Sequence, residues 1–193
     1  MVAASSRRTT PFVIAMLLDD EDKDRAEYYR RLASVFAEKP SMERVLHLQE
    51  TFGEEFTDTI EDIGRDFDRL FVGSTARLRP FESLYNYPLG DRPRVGGRAA
   101  QEVSTVYSSA GLTIDEEWQA VPDHLAAELL FMSYLIENGQ REAEARFLDE
   151  HLLEWVPDFC DDLAREAETG FFRAVANLLK DLILSDSNGS EEE

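Results

Sequence analysis

An all-α fold is predicted: a single helical bundle interrupted by one long loop rich in proline and aromatic residues. Three observations predict it. From Asp20 onward the apolar residues recur at helical spacing, no stretch alternates apolar and polar residues as a half-buried strand would, and the prolines and glycines concentrate between Ser74 and Gly97. At 193 residues and 43% hydrophobic content the chain is long enough for one sizeable core.

Each element follows in order. Tyr28, Tyr29, Leu32, Val35 and Phe36 form a stripe that ends before Lys39-Pro40. Ser41 is placed to cap a short helix carrying Met42, Val45, Leu46 and Leu48, with Arg44 at its third position and Gly53 as its stop. A third helix is expected from Glu54 to Val72 on the apolar series Phe56, Ile60, Ile63, Phe67, Leu70 and Phe71, closed by Gly73. Pro80, Pro88 and Pro93 then forbid a continuous helix between Ser74 and Gly97, and Phe81, Tyr85 and Tyr87 suggest a loop that packs back on the domain.

Helix returns from Arg98 to Ser109 and is followed by an acidic linker with Trp118. The strongest helical signal runs from Pro122 to Asn138: proline suits a helix start, Asp123 complements the positive end of the dipole, and Asn138-Gly139 is a stop. Gln140 to Val156 is expected as another helix, with Pro157 as a corner, then Asp158 to Thr169 and Gly170 to Leu184. The resulting division is a flexible leader at 1–19, a helical domain at 20–184 and a disordered acidic tail at 185–193.

Composition excludes several functions. With 20 Lys and Arg against 40 Asp and Glu, the net charge of −20 argues against nucleic acid and anionic membranes, both of which reward a basic surface. Lysine occurs only at positions 23, 39 and 180; either salt adaptation or an arginine-preferring genome accounts for that texture, and a steep gain of stability in molar KCl marks the first. Cys160 alone supplies neither a disulfide framework nor a thiol cluster for zinc, and a reducing, cytoplasmic setting suits it. Arg7-Arg8 before the apolar run Val13–Leu18 looks like an export signal, but the run is short, meets Asp19–Asp22 and lacks a cleavage site; a disordered leader, or a start nearer Met16, is expected instead. No segment is apolar enough to insert in a membrane.

Little catalytic chemistry is offered. His47, His124 and His151 stand on separate predicted helices; His124 and Glu128 share a face, yet the Glu-x-x-His pairs of a di-iron bundle are absent. Neither a nucleophile elbow nor a phosphate-binding glycine loop occurs. No enzyme, metal or cofactor is therefore expected. The Pro/aromatic loop beside the Pro122 helix could instead frame an apolar, acid-rimmed groove for a positively charged peptide. The plainer alternative makes Phe81 and Tyr85 core aromatics, Asp123 a cap and His124 a structural histidine.

Three stretches carry a family resemblance. Phe67–Gly73 with Arg79-Pro80-Phe81-Glu82-Ser83-Leu84-Tyr85, the Pro122-Asp123-His124 helix start running to Met132, and Phe147–Trp155 with the 159–179 region resemble the TorD/DmsD/NarJ family of molybdoenzyme maturation chaperones, over roughly residues 25 to 184. The resemblance implies an all-helical cytoplasmic chaperone of anaerobic respiration. It would bind the twin-arginine signal peptide of the apo catalytic subunit of a molybdopterin oxidoreductase, assisting cofactor insertion and delaying export. Carried over by position, the implied signal-peptide-binding residues are Leu70, Phe71, Phe81, Glu82, Tyr85, Pro122, Asp123, His124 and Glu128. Asp123 or Glu82 is expected to pair with a leader arginine, so Asp123→Ala with His124→Ala should weaken binding without unfolding. Where the family often has Pro-Pro, Arg79-Pro80 puts a positive charge near the groove. A monomer or a domain-swapped dimer suits the resemblance. The competing reading is a helical enzyme or cofactor-transfer protein that itself binds a nucleotide or pterin.

Overall fold

The stripe of Tyr29, Leu32, Val35 and Phe36 is the buried face of helix α1 (Asp20–Ala37) in a computed structural model that describes residues 20–90, 92–112 and 121–189. The expected leader and the linker around Trp118 lie outside the described residues. Ser41 caps α2 (Met42–Phe52) as its sequence predicts, its hydroxyl accepting the Arg44 N–H at 3.4 Å, and Gly53 ends it in the left-handed conformation at φ 67°.

Helix α3 (Ile60–Phe71) starts six residues later than the apolar pattern from Glu54 suggests. Two side chains explain the delay. Thr59 is its N-cap, with Oγ1 accepting the Asp62 N–H at 3.1 Å, and Asp58 is engaged elsewhere: its Oδ2 accepts the Phe171 N–H at 2.8 Å. Gly170 is small enough to permit that approach, since a Cβ there would lie 3.1 Å from the same oxygen.

The loop at 74–97 contains one 3₁₀ turn, Glu82–Leu84, and α4 (Arg98–Ser109) has its expected bounds. Helix α5 (Leu125–Glu137) begins after Pro122 and Asp123 rather than with them, because its N-cap His124 is extended and bridged to Phe81 of the loop. Helices α6 (Arg141–Phe147) and α7 (Leu153–Glu166) are joined without a corner by a π turn at Leu148–Leu152. Pro157 therefore lies inside α7, where it removes only the N–H that would have met the Leu153 carbonyl one turn earlier, next to a π turn that has already shifted the hydrogen-bond register. The chain turns instead at 167–169, where the Asp66 carboxylate accepts the N–H groups of Glu168 and Thr169 at 2.9 and 2.8 Å and the Thr169 hydroxyl at 2.8 Å.

Helix α8 (Gly170–Gly189) overruns the expected end at Leu184. The tail expected from Ser185 is thus corrected for residues 185–189, and the reason is electrostatic: Asp186 Oδ2 accepts from Arg25 Nη2 and from the Tyr29 hydroxyl, both at 2.8 Å. Residues 190–193 lie outside the described residues.

Helix α1 lies along α5, and α7 along α8, to form one helical bundle. Its centre is dominated by Leu32, Leu129, Trp155, Phe159 and Phe172, all with no exposed surface. Among the described residues the sole strand-like pairing is an isolated antiparallel bridge, Phe81 with His124. No described helix is long and apolar enough to cross a membrane.

Candidate functional site

That single bridge organises the site. The Glu82 N–H donates to the Asp123 carbonyl at 3.0 Å and the Leu125 N–H to the Pro80 carbonyl at 2.9 Å, so the loop is stitched by backbone bonds to the start of α5. The Asp123 carboxylate reinforces the stitch by accepting the Ser83 N–H at 2.9 Å. His124 is the N-cap of α5, its Nδ1 accepting the Ala126 N–H at 3.2 Å, and its ring meets that of Phe81 edge-on at 5.0 Å. Burial pushes the imidazole down to about 4, against a weaker opposing pull from Asp123, so it is neutral at pH 7 and Nδ1 is free of a proton to act as acceptor.

Behind the bridge lies a buried acidic cluster. Glu82, Asp123 and Glu128 have no exposed surface. His151, on the π turn, places Nδ1 3.0 and 3.2 Å from the two Glu82 oxygens, and the Asn86 amide donates to Glu82 at 2.8 Å. Trp155 Nε1–H donates to Glu128 at 3.0 Å, and the Tyr107 hydroxyl donates to the Pro122 carbonyl at 3.1 Å. Burial first, and the neighbouring Glu82 charge second, push the Glu128 carboxyl well above the usual range, so that it holds its proton. Burial likewise raises the Tyr107 hydroxyl well above its ordinary range, with the neighbouring acidic groups adding to it.

In front of the bridge is an open groove of about 390 Å³. Phe36, Phe67, Phe71, Val72, Pro80 and Phe81 supply its apolar lining, His124 closes one side, and Glu38 and Arg79 stand on it as the one carboxylate and the one guanidinium among its described lining residues. Three of the nine residues implied by the resemblance, Phe71, Phe81 and His124, are therefore brought together on an accessible surface. Leu70 is fully buried, Pro122 is buried, and Tyr85 packs inward on Trp155 and Phe159 with ring centroids 5.5 and 5.9 Å away.

Two expectations are corrected by this burial. Glu82 and Asp123 do not reach the surface to meet a ligand arginine: neither has exposed surface, Glu82 faces His151 and Asn86, and Asp123 Oδ2 accepts the Ser83 N–H. Asp123→Ala is likewise not a neutral probe of binding, because it strips a buried N–H of its acceptor. His124 and Glu128 do not pair as metal ligands either: one caps α5 while the other faces Trp155, and among the described residues no group of three or more His, Cys, Asp and Glu could hold a metal ion.

Glu38, Phe36 and His151 were not legible as site residues. Glu38 lies just past the end of α1 with no motif around it; His151 carried a signal, a lone histidine on the apolar face that also presents Leu148, Leu152 and Trp155.

The nitrate reductase delta subunit family matches residues 20–161 of the chain, from the first residue of α1 to within α7. The chain belongs to the TorD/DmsD/NarJ family. Its curated relatives carry the name chaperone protein TorD: one from Vibrio cholerae is 27% identical over 190 residues, covering 89% of this chain and 84% of the relative. Another from Aliivibrio salmonicida is 27% identical over 200 residues (82% and 90%), and one from Shewanella loihica 22% identical over 183 residues (80% and 87%). A TorD-type chaperone role follows from this membership. Phe81 and His124, one from each of two stretches that carry the resemblance, are the two residues of the isolated bridge that joins the loop to the start of α5.

Proposed function

We propose that the groove between the end of α1, the end of α3 and the loop binds the twin-arginine signal peptide of an apo-molybdoenzyme, and that this binding delays export until the cofactor is inserted and the subunit folded. The observation that carries the reading is the convergence of Phe71, Phe81 and His124, from three separate parts of the chain, on one accessible apolar surface. A leader is an unfolded segment with paired arginines and a short apolar run. The apolar run suits the Phe71 and Phe81 rings; the arginines suit a protein of net charge −20. Because the segment must be ordered on binding, an affinity of order 1 μM is expected, about −8 kcal/mol.

Calorimetric titration with a synthetic twin-arginine leader peptide tests this. Phe81→Ala should lower affinity by about tenfold, the scale of one modest interface anchor, while the thermal transition stays cooperative. No heat and no displacement with any such peptide would remove the reading. Co-purification from the native host identifies the client oxidoreductase.

One observation favours the second reading, a protein that itself holds a nucleotide or pterin. A separate pocket of about 280 Å³ between α4, α5, α6 and the π turn sets Phe131 and Phe147 beside Arg146, Gln140 and His151. Ligand-dependent quenching of intrinsic fluorescence by a nucleotide, abolished in Arg146→Ala, would support it.

A further inference from the structure

Glu38 and Arg44 stand at the wrong ends of their helices. Glu38 follows the last residue of α1, where the negative end of the helix dipole disfavours a carboxylate and where the last turn holds no basic residue to offset it. Arg44 is the third residue of α2, in the first turn, where the positive end disfavours a cation. The two side chains form an ion pair with each other, Arg44 Nη2 to Glu38 Oε1, and remain 30% and 66% exposed. Neighbouring Lys39 is occupied by Asp68 at 2.5 Å and does not serve Glu38. The helix dipole disfavours a carboxylate at this position, yet Glu38 is the one carboxylate among the described lining residues of the groove.

Resting on the peptide-binding reading above, we infer that Glu38 is the residue that receives an arginine of the bound segment, and that Arg44 is an internal stand-in that this arginine displaces. The buried carboxylates leave no other acid among the described lining residues of the groove to do so. A guanidinium fits either partner, so the ligand's arginine exchanges for Arg44 in a bidentate-capable geometry and the freed Arg44 passes to water. Arg79 also lines the groove and forms no ion pair among the described residues, so it repels the basic end of the segment. The bound chain is thereby oriented, with its arginines at the α1 end and its apolar run over Phe71 and Phe81.

The pair also sets affinity. While Arg44 holds Glu38, every binding event must first break that contact. Loss of Arg44 should therefore tighten binding, and loss of Glu38 should weaken it.

The test is a cycle of titrations using a synthetic peptide with two adjacent arginines followed by an apolar run, and its counterpart with glutamines in place of the arginines, on the full chain. Glu38→Gln should weaken the arginine peptide by about fivefold, the scale of a half-exposed ion pair, and leave the glutamine peptide unchanged. Arg44→Gln should tighten the arginine peptide by a few-fold. The melting temperature of each variant should stay close to that of the native chain, because loss of a half-exposed ion pair is offset by removal of a charge from the wrong end of a helix dipole. Equal loss for both peptides, or no loss for either, overturns the assignment of Glu38 while leaving the groove reading intact; weaker binding by Arg44→Gln overturns the stand-in role. Failure of the native chain to bind either peptide overturns the groove reading itself, and the role of Glu38 with it.

Discussion

Two buried acidic clusters sit in this bundle, and they are neutralised in opposite ways. Where α1 meets α6 and α8, Asp22, Glu144 and Asp186 surround Arg25, with Arg141 reaching Asp22 at 2.6 Å and Tyr29 bonded to Asp186. Beside the groove, Glu82, Asp123 and Glu128 are buried with no arginine or lysine paired to them among the described residues, and are held instead by His151, Trp155, Asn86, a backbone N–H and a retained proton. The first is an ion network that ties the beginning of the domain to its end. The second is a hydrogen-bond network that fixes the loop to α5 and thereby sets the position of Phe81 and His124. An arginine can be satisfied at any pH of interest; a carboxylic acid held by its proton cannot. The comparison predicts that the first cluster governs stability and the second governs its pH dependence.

Arg25→Ala gives the largest expected effect. It leaves three carboxylates facing one another with little water, and should cost about 3 kcal/mol in chemical denaturation. It should not change peptide binding, as none of these residues reaches the groove. A cost below 1 kcal/mol would place the network among ordinary surface pairs.

Asp123→Ala comes next. Loss of the acceptor for the Ser83 N–H should cost about 2 kcal/mol and speed hydrogen exchange at Glu82 and Ser83 ahead of the helices. Exchange that accelerates evenly across the bundle would deny that the carboxylate acts locally on the loop.

Glu128→Gln sharpens the pH side of the comparison. A carboxyl held protonated in the fold but ionised in the unfolded chain lowers stability as pH rises above its ordinary value of 4.5. Glutamine keeps an acceptor for Trp155 and removes that loss, so the variant should match the native protein near pH 4 and exceed it increasingly toward pH 8, read by melting temperature. A gap independent of pH would contradict the retained proton.

His124→Asn is the smallest and has the opposite sign of pH. A histidine whose value falls from 6.5 to about 4 on folding is protonated in the unfolded chain first, so it lowers stability as pH drops from 6.5 to 4. Asparagine retains an N-cap acceptor and should flatten that acid limb while leaving stability at pH 7 within about 0.5 kcal/mol.

How much of this was legible follows from where the information lies. The helical bundle was, because apolar spacing along α1, α4 and α5 is local and each stripe has a core to meet. Boundaries failed where a side chain had a distant partner: Asp58 reaches α8, Asp123 reaches Ser83, and Asp186 reaches Arg25. No local rule assigns those contacts. Of the residues that the family motifs imply, Phe71, Phe81 and His124 are the three that the fold brings to the groove. The roles of Glu82, Asp123 and Glu128 were not legible, since sequence places an acid in a loop or at a helix start without saying whether it faces water. Glu38 was missed for the complementary reason: it lies in no motif, and only the fold sets it beside Phe71 and Phe81.

Hydrogen exchange on the full chain, with and without a saturating twin-arginine leader peptide, tests the central claim most directly. The account predicts that protection gained on binding concentrates at residues 36–38, 71–73 and 79–85 and at the start of α5. Protection confined to the pocket around Phe131, Arg146 and His151, with those segments unchanged, would contradict it.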